Sequence, residues 1–352
     1  FFTSGTTNLP KAVPVNDINE VLSAHDVIMH FPLSPKDVTM NLTPWFHRGG
    51  LHSGGPCPTL YIGGTMVILR DFTPRLALQY VSLYHITFLI GAPTVINMLC
   101  RIQETNPRDI SSLHGIVLMG SPLDKEPCKR YMKVLTPNIF NGYGTTETFW
   151  NVFLRPYDLP DKAGYAGGAC TDDDVRVVRV DTTKHVSPDE LVPMDKETVG
   201  EVVIFAPNKS TFAYYDNPKT TEEKFHNGWL YTGDLATWDE HAYITIIGRK
   251  DDMIVSAGEN IYPVQVESIL NEHPKVAESL VFGIPDPKRG SVIAALIRPS
   301  DPSLTEKEMK QFCMNHPMLA PYKRPRIFRF VKELPHNATG KLLHKLPPDF
   351  KF

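Results

Sequence analysis

Apolar and polar residues follow two rhythms along the first two thirds of the chain. The runs "ITFLIG" (86–91) and "GIVLMG" (115–120) are short and continuous, as expected for strands buried on both faces. The segments "TPRLALQYVSLYH" (73–85) and "PTVINMLCRI" (93–102) instead space their apolar residues three and four apart, the helical repeat. Thr73 predicts an N-cap and Pro74 a first helical position. Strand–helix–strand–helix order predicts an α/β sheet with helices on its faces, and ligands beyond the carboxyl ends of its strands.

The texture changes after "GRKDD" (248–252). "NIYPVQVESILNEHP" predicts a helix begun at Pro263, followed by a strand in "VAESLVFGI". "LTEKEMKQFCMNHP" pairs Thr305 with Glu308 three residues on, a capping-box pattern, and "RIFRFV" reads as a further strand. The expectation is two domains: a large α/β domain over 1–249, and a small α+β domain over 250–352, with the boundary in the charged turn 249–252.

Composition narrows the function classes. Lys+Arg 36 against Asp+Glu 39 leaves a net charge of −3, so bulk charge recruits neither nucleic acid nor membrane. The longest apolar stretch (86–99) is broken by Pro93 and Asn97 and is too short to span a bilayer. The cysteines, Cys57, Cys100, Cys128, Cys170 and Cys313, are odd in number and never in C-x-x-C spacing. Reduced thiols in a cytoplasmic protein are the expectation, with neither a disulfide framework nor a zinc site.

The opening "TSGTTNLPK" (3–11) concentrates phosphate-binding chemistry. Small residues free backbone N–H groups, hydroxyls add donors, and Lys11 brings an ammonium. A polar surface turn has the same composition, and the stretch is not a Walker A loop. Four later segments follow in order: "NGYGTTET" (141–148), "GWLYTGDL" (228–235), "IIGRKDDMIVSAGENIYPVQVE" (246–267) and "HNATGKLLHK" (336–345). Together with the opening they resemble the ordered core motifs of the acyl-adenylate-forming superfamily. That superfamily includes acyl- and aryl-CoA synthetases, peptide-synthetase adenylation domains and firefly-type luciferases.

The resemblance implies two half-reactions. A carboxylate attacks the α-phosphate of ATP, giving acyl-AMP and pyrophosphate; a thiol, usually that of coenzyme A, then displaces AMP. It implies ATP, Mg²⁺ and coenzyme A as ligands, and a carboxylic acid that is aromatic, alicyclic or medium-chain. Thr3, Ser4, Gly5, Thr6, Thr7 and Lys11 would grip the β- and γ-phosphates. Glu147 would hold Mg²⁺, a hard ion suited to carboxylate oxygen, and Thr146 would touch the α-phosphate. Tyr143 would stack on adenine, with Gly120, Ser121, Asn141 and Gly142 nearby. Asp234 and Arg249 would hold the ribose.

Lys341 would bridge substrate carboxylate and α-phosphate in adenylation. Asp251 would be the hinge of a mobile small domain, and Gly258 and Glu259 would serve the thiol step. His47, Arg48, Gly49 and Trp150 are candidate walls of the acyl pocket. Tyr322 and Arg324, in the basic stretch "YKRPRIFRF", would meet the CoA nucleotide. The spacing looks most like that of benzoate- and chlorobenzoate-type CoA ligases.

The family carries a long segment before this phosphate loop, so the chain resembles the C-terminal portion of a longer enzyme. Asn8 stands where the family usually has glycine. Two alternatives remain: an adenylation module loading a carrier-protein thiol, and a catalytically silent nucleotide-binding relative. A homodimer is compatible with all three.

Overall fold

Five parallel strands run through the first part of the chain: Val38–Asn41, Thr65–Met66, Phe88–Gly91, Gly115–Met119 and Ile139–Thr145. The computed structural model describes residues 1–3, 10–181, 184–336 and 342–344. The antiparallel strands Phe149–Leu154 and Gly168–Ala169 extend one edge, giving a seven-stranded mixed sheet. Every residue of Phe88–Gly91 is buried, as its uninterrupted apolar run predicts.

The crossover helices form where the sequence placed them. Thr73 caps Pro74–Tyr84 by accepting the Leu76 N–H at 3.2 Å, and His85 ends the helix at φ 50°. That helix buries Ala77, Leu78 and Val81, while Pro93–Thr105 buries Ile96, Leu99 and Cys100. These side chains share one core with Leu89, Ile116, Leu118 and Ile139 from the strands. Each fully buried aliphatic side chain of this kind contributes roughly 1.5–3 kcal/mol.

A second sheet orders Asp174–Val178, Gly200–Phe205, Trp229–Trp238 and Phe225–His226, with Ile244–Arg249 also pairing along Trp229–Trp238. By contact density the chain forms two compact units. One is Phe1–Thr232 with Ala236–Ile246; the other is Gly233–Leu235 with Ile247–Phe352.

In the second unit, Val276–Asp286 and Gly290–Pro299 pair antiparallel, and Ile327–Phe330 adds a parallel third strand. Helices Pro263–Asn271 and Glu306–Asn315 bury Val266, Leu270, Met309 and Cys313 against this sheet. Only half of the expected capping box forms. Thr305 accepts the Glu308 N–H at 3.2 Å, but the Glu308 carboxylate pairs with Lys275 at 3.0 Å. A lysine within reach is a stronger partner for a carboxylate than one backbone amide. Among the described residues no helix is long and apolar enough to cross a membrane. All five cysteines are free.

Candidate active site

The site is built where the parallel sheet ends. Strand Ile139–Thr145 carries Asn141, Gly142 and Tyr143, then turns through Thr146, Glu147 and Thr148 into Phe149–Leu154. Gly144 makes the turn possible. A Cβ there would stand 1.7 Å from the Phe149 carbonyl oxygen.

Glu147 is half-buried, and its Oε1 accepts the Tyr214 hydroxyl at 2.5 Å. The Lys11 ammonium lies 5.5 Å from the centroid of the same Tyr214 ring. Strand Lys11–Ala12 is held nearby through the Tyr215 N–H, which donates to the Ala12 carbonyl at 2.9 Å. The structure therefore gathers Lys11, Glu147 and Tyr214. Tyr214 was missed in the sequence because "FAYYDNP" offers no sign of which tyrosine turns inward. A half-buried carboxylate that accepts from a neutral hydroxyl and keeps partial access to solvent fits a hard divalent ion such as Mg²⁺.

His47 and Arg48 open the short helix Arg48–His52 and differ sharply in environment. The His47 Nε2 is buried and has no hydrogen-bond partner among the described residues; burial holds its pKa below the ordinary histidine value. Arg48 is 2 % exposed and committed to protein acceptors. Its Nη1 donates to the Thr146 carbonyl at 3.0 Å, and its Nη2 to Ser23 Oγ at 3.0 Å and the Lys209 carbonyl at 2.9 Å. Burial lowers its pKa to about 10, against the pull of Glu20 and Glu147.

Gly49 lies close to the end of strand Gly115–Met119, where a Cβ would come within 2.9 Å of Met119 Sδ. Gly120 and Ser121, just beyond that strand, are exposed, with Gly120 at φ 86°. Trp150 is packed inside, stacked on Phe149 with centroids 5.4 Å apart, its ring against Gly142. Asn141 is buried, and its Oδ1 has no partner among the described residues.

Beneath the turn lies a charged cluster that no motif announced. Lys209 Nζ donates to Asp26 Oδ2 at 2.8 Å, to Asp173 Oδ2 at 2.7 Å and to the Trp150 carbonyl. Burial pulls the Lys209 pKa down, and the two carboxylates more than offset it, leaving it above the ordinary lysine value. Burial raises the Asp173 pKa to about 7, against the pull of Lys209 and Asn151. Asp26, His30 and Cys170 stand close enough to ligate a metal ion. They do not fit one, because Lys209 already supplies the positive charge and Arg155 Nη2 lies 2.6 Å from His30 Nδ1.

In the second unit, Asp234 is buried and receives Arg249 Nη1 at 2.9 Å. Asp251 is exposed in the single turn Lys250–Asp252. Gly258 and Glu259 sit at an exposed two-residue hairpin between Ile254–Ser256 and Glu259–Ile261. Ala257 at φ 54° and Gly258 at φ 87° close it. Tyr322 is exposed on the turn Pro321–Lys323, and Arg324 Nε donates to the Leu319 carbonyl at 3.1 Å. Ser4, Gly5, Thr6, Thr7, Asn8 and Lys341 lie outside the described residues.

Comparison with known proteins agrees with this architecture. Residues 1–215 match the family described as AMP-binding enzyme, and residues 265–341 its C-terminal domain. The chain belongs to this adenylate-forming family. A feruloyl-CoA synthase of Amycolatopsis is 32% identical over 344 residues, covering 97% of this chain and 67% of the relative. A 4-chlorobenzoate–CoA ligase of Arthrobacter is 32% identical over 357 residues, covering 97% and 64%. The o-succinylbenzoate CoA synthetase of Bacillus subtilis, solved with ATP and a magnesium ion, superposes with a TM-score of 0.85 at 30% identity, covering 97% and 68%. The chain thus spans about two thirds of the length of these relatives.

Proposed function

We propose that the protein is an AMP-forming acid–CoA ligase acting on an aromatic or similarly compact carboxylic acid. The observation that carries the reading is the Glu147 carboxylate at the carboxyl end of the parallel sheet, held half-buried by Tyr214, the ring of which also faces the Lys11 ammonium. A carboxylate and an ammonium so placed suit a metal-bound polyphosphate. Glu147 would hold Mg²⁺, which neutralises phosphate charge when bound. Thr3, Ser4, Gly5, Thr6, Thr7 and Lys11 would hold the phosphates, and Thr146 the α-phosphate.

Tyr143 would offer its ring to the base, and Asn141 Oδ1, without a partner among the described residues, an acceptor for an exocyclic amine. Asp234 can accept from a ribose diol, supported by Arg249. His47, its buried Nε2 without a partner among the described residues, and Gly49 would border the acid. Lys341 would offset charge at the α-phosphorus during adenylation, and Asp251 would be the hinge. Gly258, Glu259, Tyr322 and Arg324 would serve coenzyme A. The relatives named as ligases for feruloyl and chlorobenzoyl groups support an aromatic acid.

The test uses the full-length natural protein with ATP, Mg²⁺ and a panel of carboxylic acids. Acid-dependent exchange of labelled pyrophosphate into ATP, with thioester and AMP formed on adding coenzyme A, is the expected result. Exchange without thioester would assign the acceptor to a carrier protein. No exchange with any acid would leave a nucleotide-binding relative without this chemistry.

A further inference from the structure

Lys209 and Arg48 are almost wholly buried cations beside the turn that carries Glu147. Their contacts converge on one turn. Arg48 donates to the Thr146 carbonyl, and Lys209 to the Trp150 carbonyl. The two cations are joined, because Arg48 Nη2 also donates to the Lys209 carbonyl at 2.9 Å. Both are tied to helix Asp17–His30, Arg48 through Ser23 and Lys209 through Asp26.

Between the two gripped carbonyls lie Glu147, Thr148 and Phe149. Phe149 has φ 59°, left-handed backbone that a bulky side chain adopts only under constraint. Such a conformation persists where its surroundings over-determine it. Here the surroundings are explicit. Thr148 Oγ1 is paired with Asn151 Oδ1 at 2.7 Å and lies 3.0 Å from Thr145 Oγ1. Asn151 Nδ2 donates to Asp173 Oδ2 at 2.8 Å, returning to the Lys209 cluster. The Arg48 guanidinium also lies 5.6 Å from the Phe149 ring centroid.

An apolar side chain could fill the same space but could not hold a carbonyl oxygen. A cation can hold several acceptors at once, and each of these two draws its acceptors from different segments. We propose that Lys209 and Arg48 are positioning residues for Glu147. They fix both ends of the strained Thr146–Trp150 turn to the scaffold helix, and so set where the Glu147 carboxylate stands. The inference rests on the reading of Glu147 as the Mg²⁺ ligand.

The experiment uses the full-length protein and the R48M, R48K, K209M and E147Q variants. One readout is calorimetric binding of a non-hydrolysable ATP analogue with and without Mg²⁺. The other is amide hydrogen exchange over residues 145–152 compared with the rest of the large unit. In R48M and K209M the Mg²⁺ enhancement of binding should fall on the order of tenfold or more, as small misplacements of a working group do. Metal-free binding should hold, and exchange should rise within 145–152 alone. R48K, which keeps an ammonium able to hold one carbonyl, should recover part of the loss.

E147Q should lose the Mg²⁺ enhancement with exchange unchanged. If K209M does not fold, K209M/D173N, which also removes the buried acid left without its cation, is read the same way. Unchanged exchange at 145–152, or a rise spread evenly over the large unit, would overturn the inference. Local loosening with a Mg²⁺ response that E147Q leaves intact would uphold the brace and reject Glu147 as the ligand.

Discussion

Replacing Asp173 with asparagine should change how stability depends on pH. In the folded chain, burial raises the Asp173 carboxyl from 3.8 to about 7, while the unfolded chain keeps the ordinary value. The folded state therefore binds this proton more tightly than the unfolded state. Below about pH 4 both states are protonated, and the contribution is fully present. As pH rises toward 7, only the unfolded chain releases its proton freely, so wild-type stability falls. The slope is about 1.4 kcal/mol per pH unit, giving a loss approaching ~4 kcal/mol across the window and none beyond it. Neighbouring Asp26 adds to the effect, and Lys209 limits it.

D173N lacks the titrating group and keeps an oxygen for Lys209. The difference between variant and wild type should therefore shift in the variant's favour between pH 4 and 7. Differential scanning calorimetry of both proteins at half-unit intervals reads it, with a divergence of roughly 2–4 °C for each kcal/mol. Melting curves that stay parallel over this range would refute the reasoning. They would mean that Asp173 is ionised when folded.

Three further outcomes are expected. T305A removes the hydroxyl that accepts the Glu308 N–H and should cost about 1 kcal/mol, read as an earlier melting transition of the second unit. G144A places a Cβ 1.7 Å from the Phe149 carbonyl oxygen; the turn carrying Glu147 must open, and acid-dependent pyrophosphate exchange should be lost in protein that still folds. D251P should leave pyrophosphate exchange intact and slow thioester formation; equal loss of both would remove Asp251 as a hinge.

Local physics was legible in the sequence. A threonine before a proline-led apolar repeat caps a helix because cap and first turn are sequence neighbours, as at Thr73 and Pro74. Continuous apolar runs such as 88–91 become buried strands because no polar side chain in them demands solvent. Thr146 and Glu147 stood out only through the resemblance of "NGYGTTET" to a family motif.

Lys209 shows what the sequence by itself left undecided. In "APNKSTF" it reads as a solvated loop lysine, the usual state of that side chain. Its burial is settled by Asp26 and Asp173, 183 and 36 residues away. Arg48 reads in the sequence as a candidate wall of the acyl pocket. The Thr146 and Lys209 carbonyls that claim it lie 98 and 161 residues away along the chain. A buried cation is stable only where distant acceptors converge on it, and that convergence belongs to the tertiary fold. Caps, turns and apolar runs were fixed by neighbours along the chain. The charged brace beneath Glu147 exists only once the chain has closed around it.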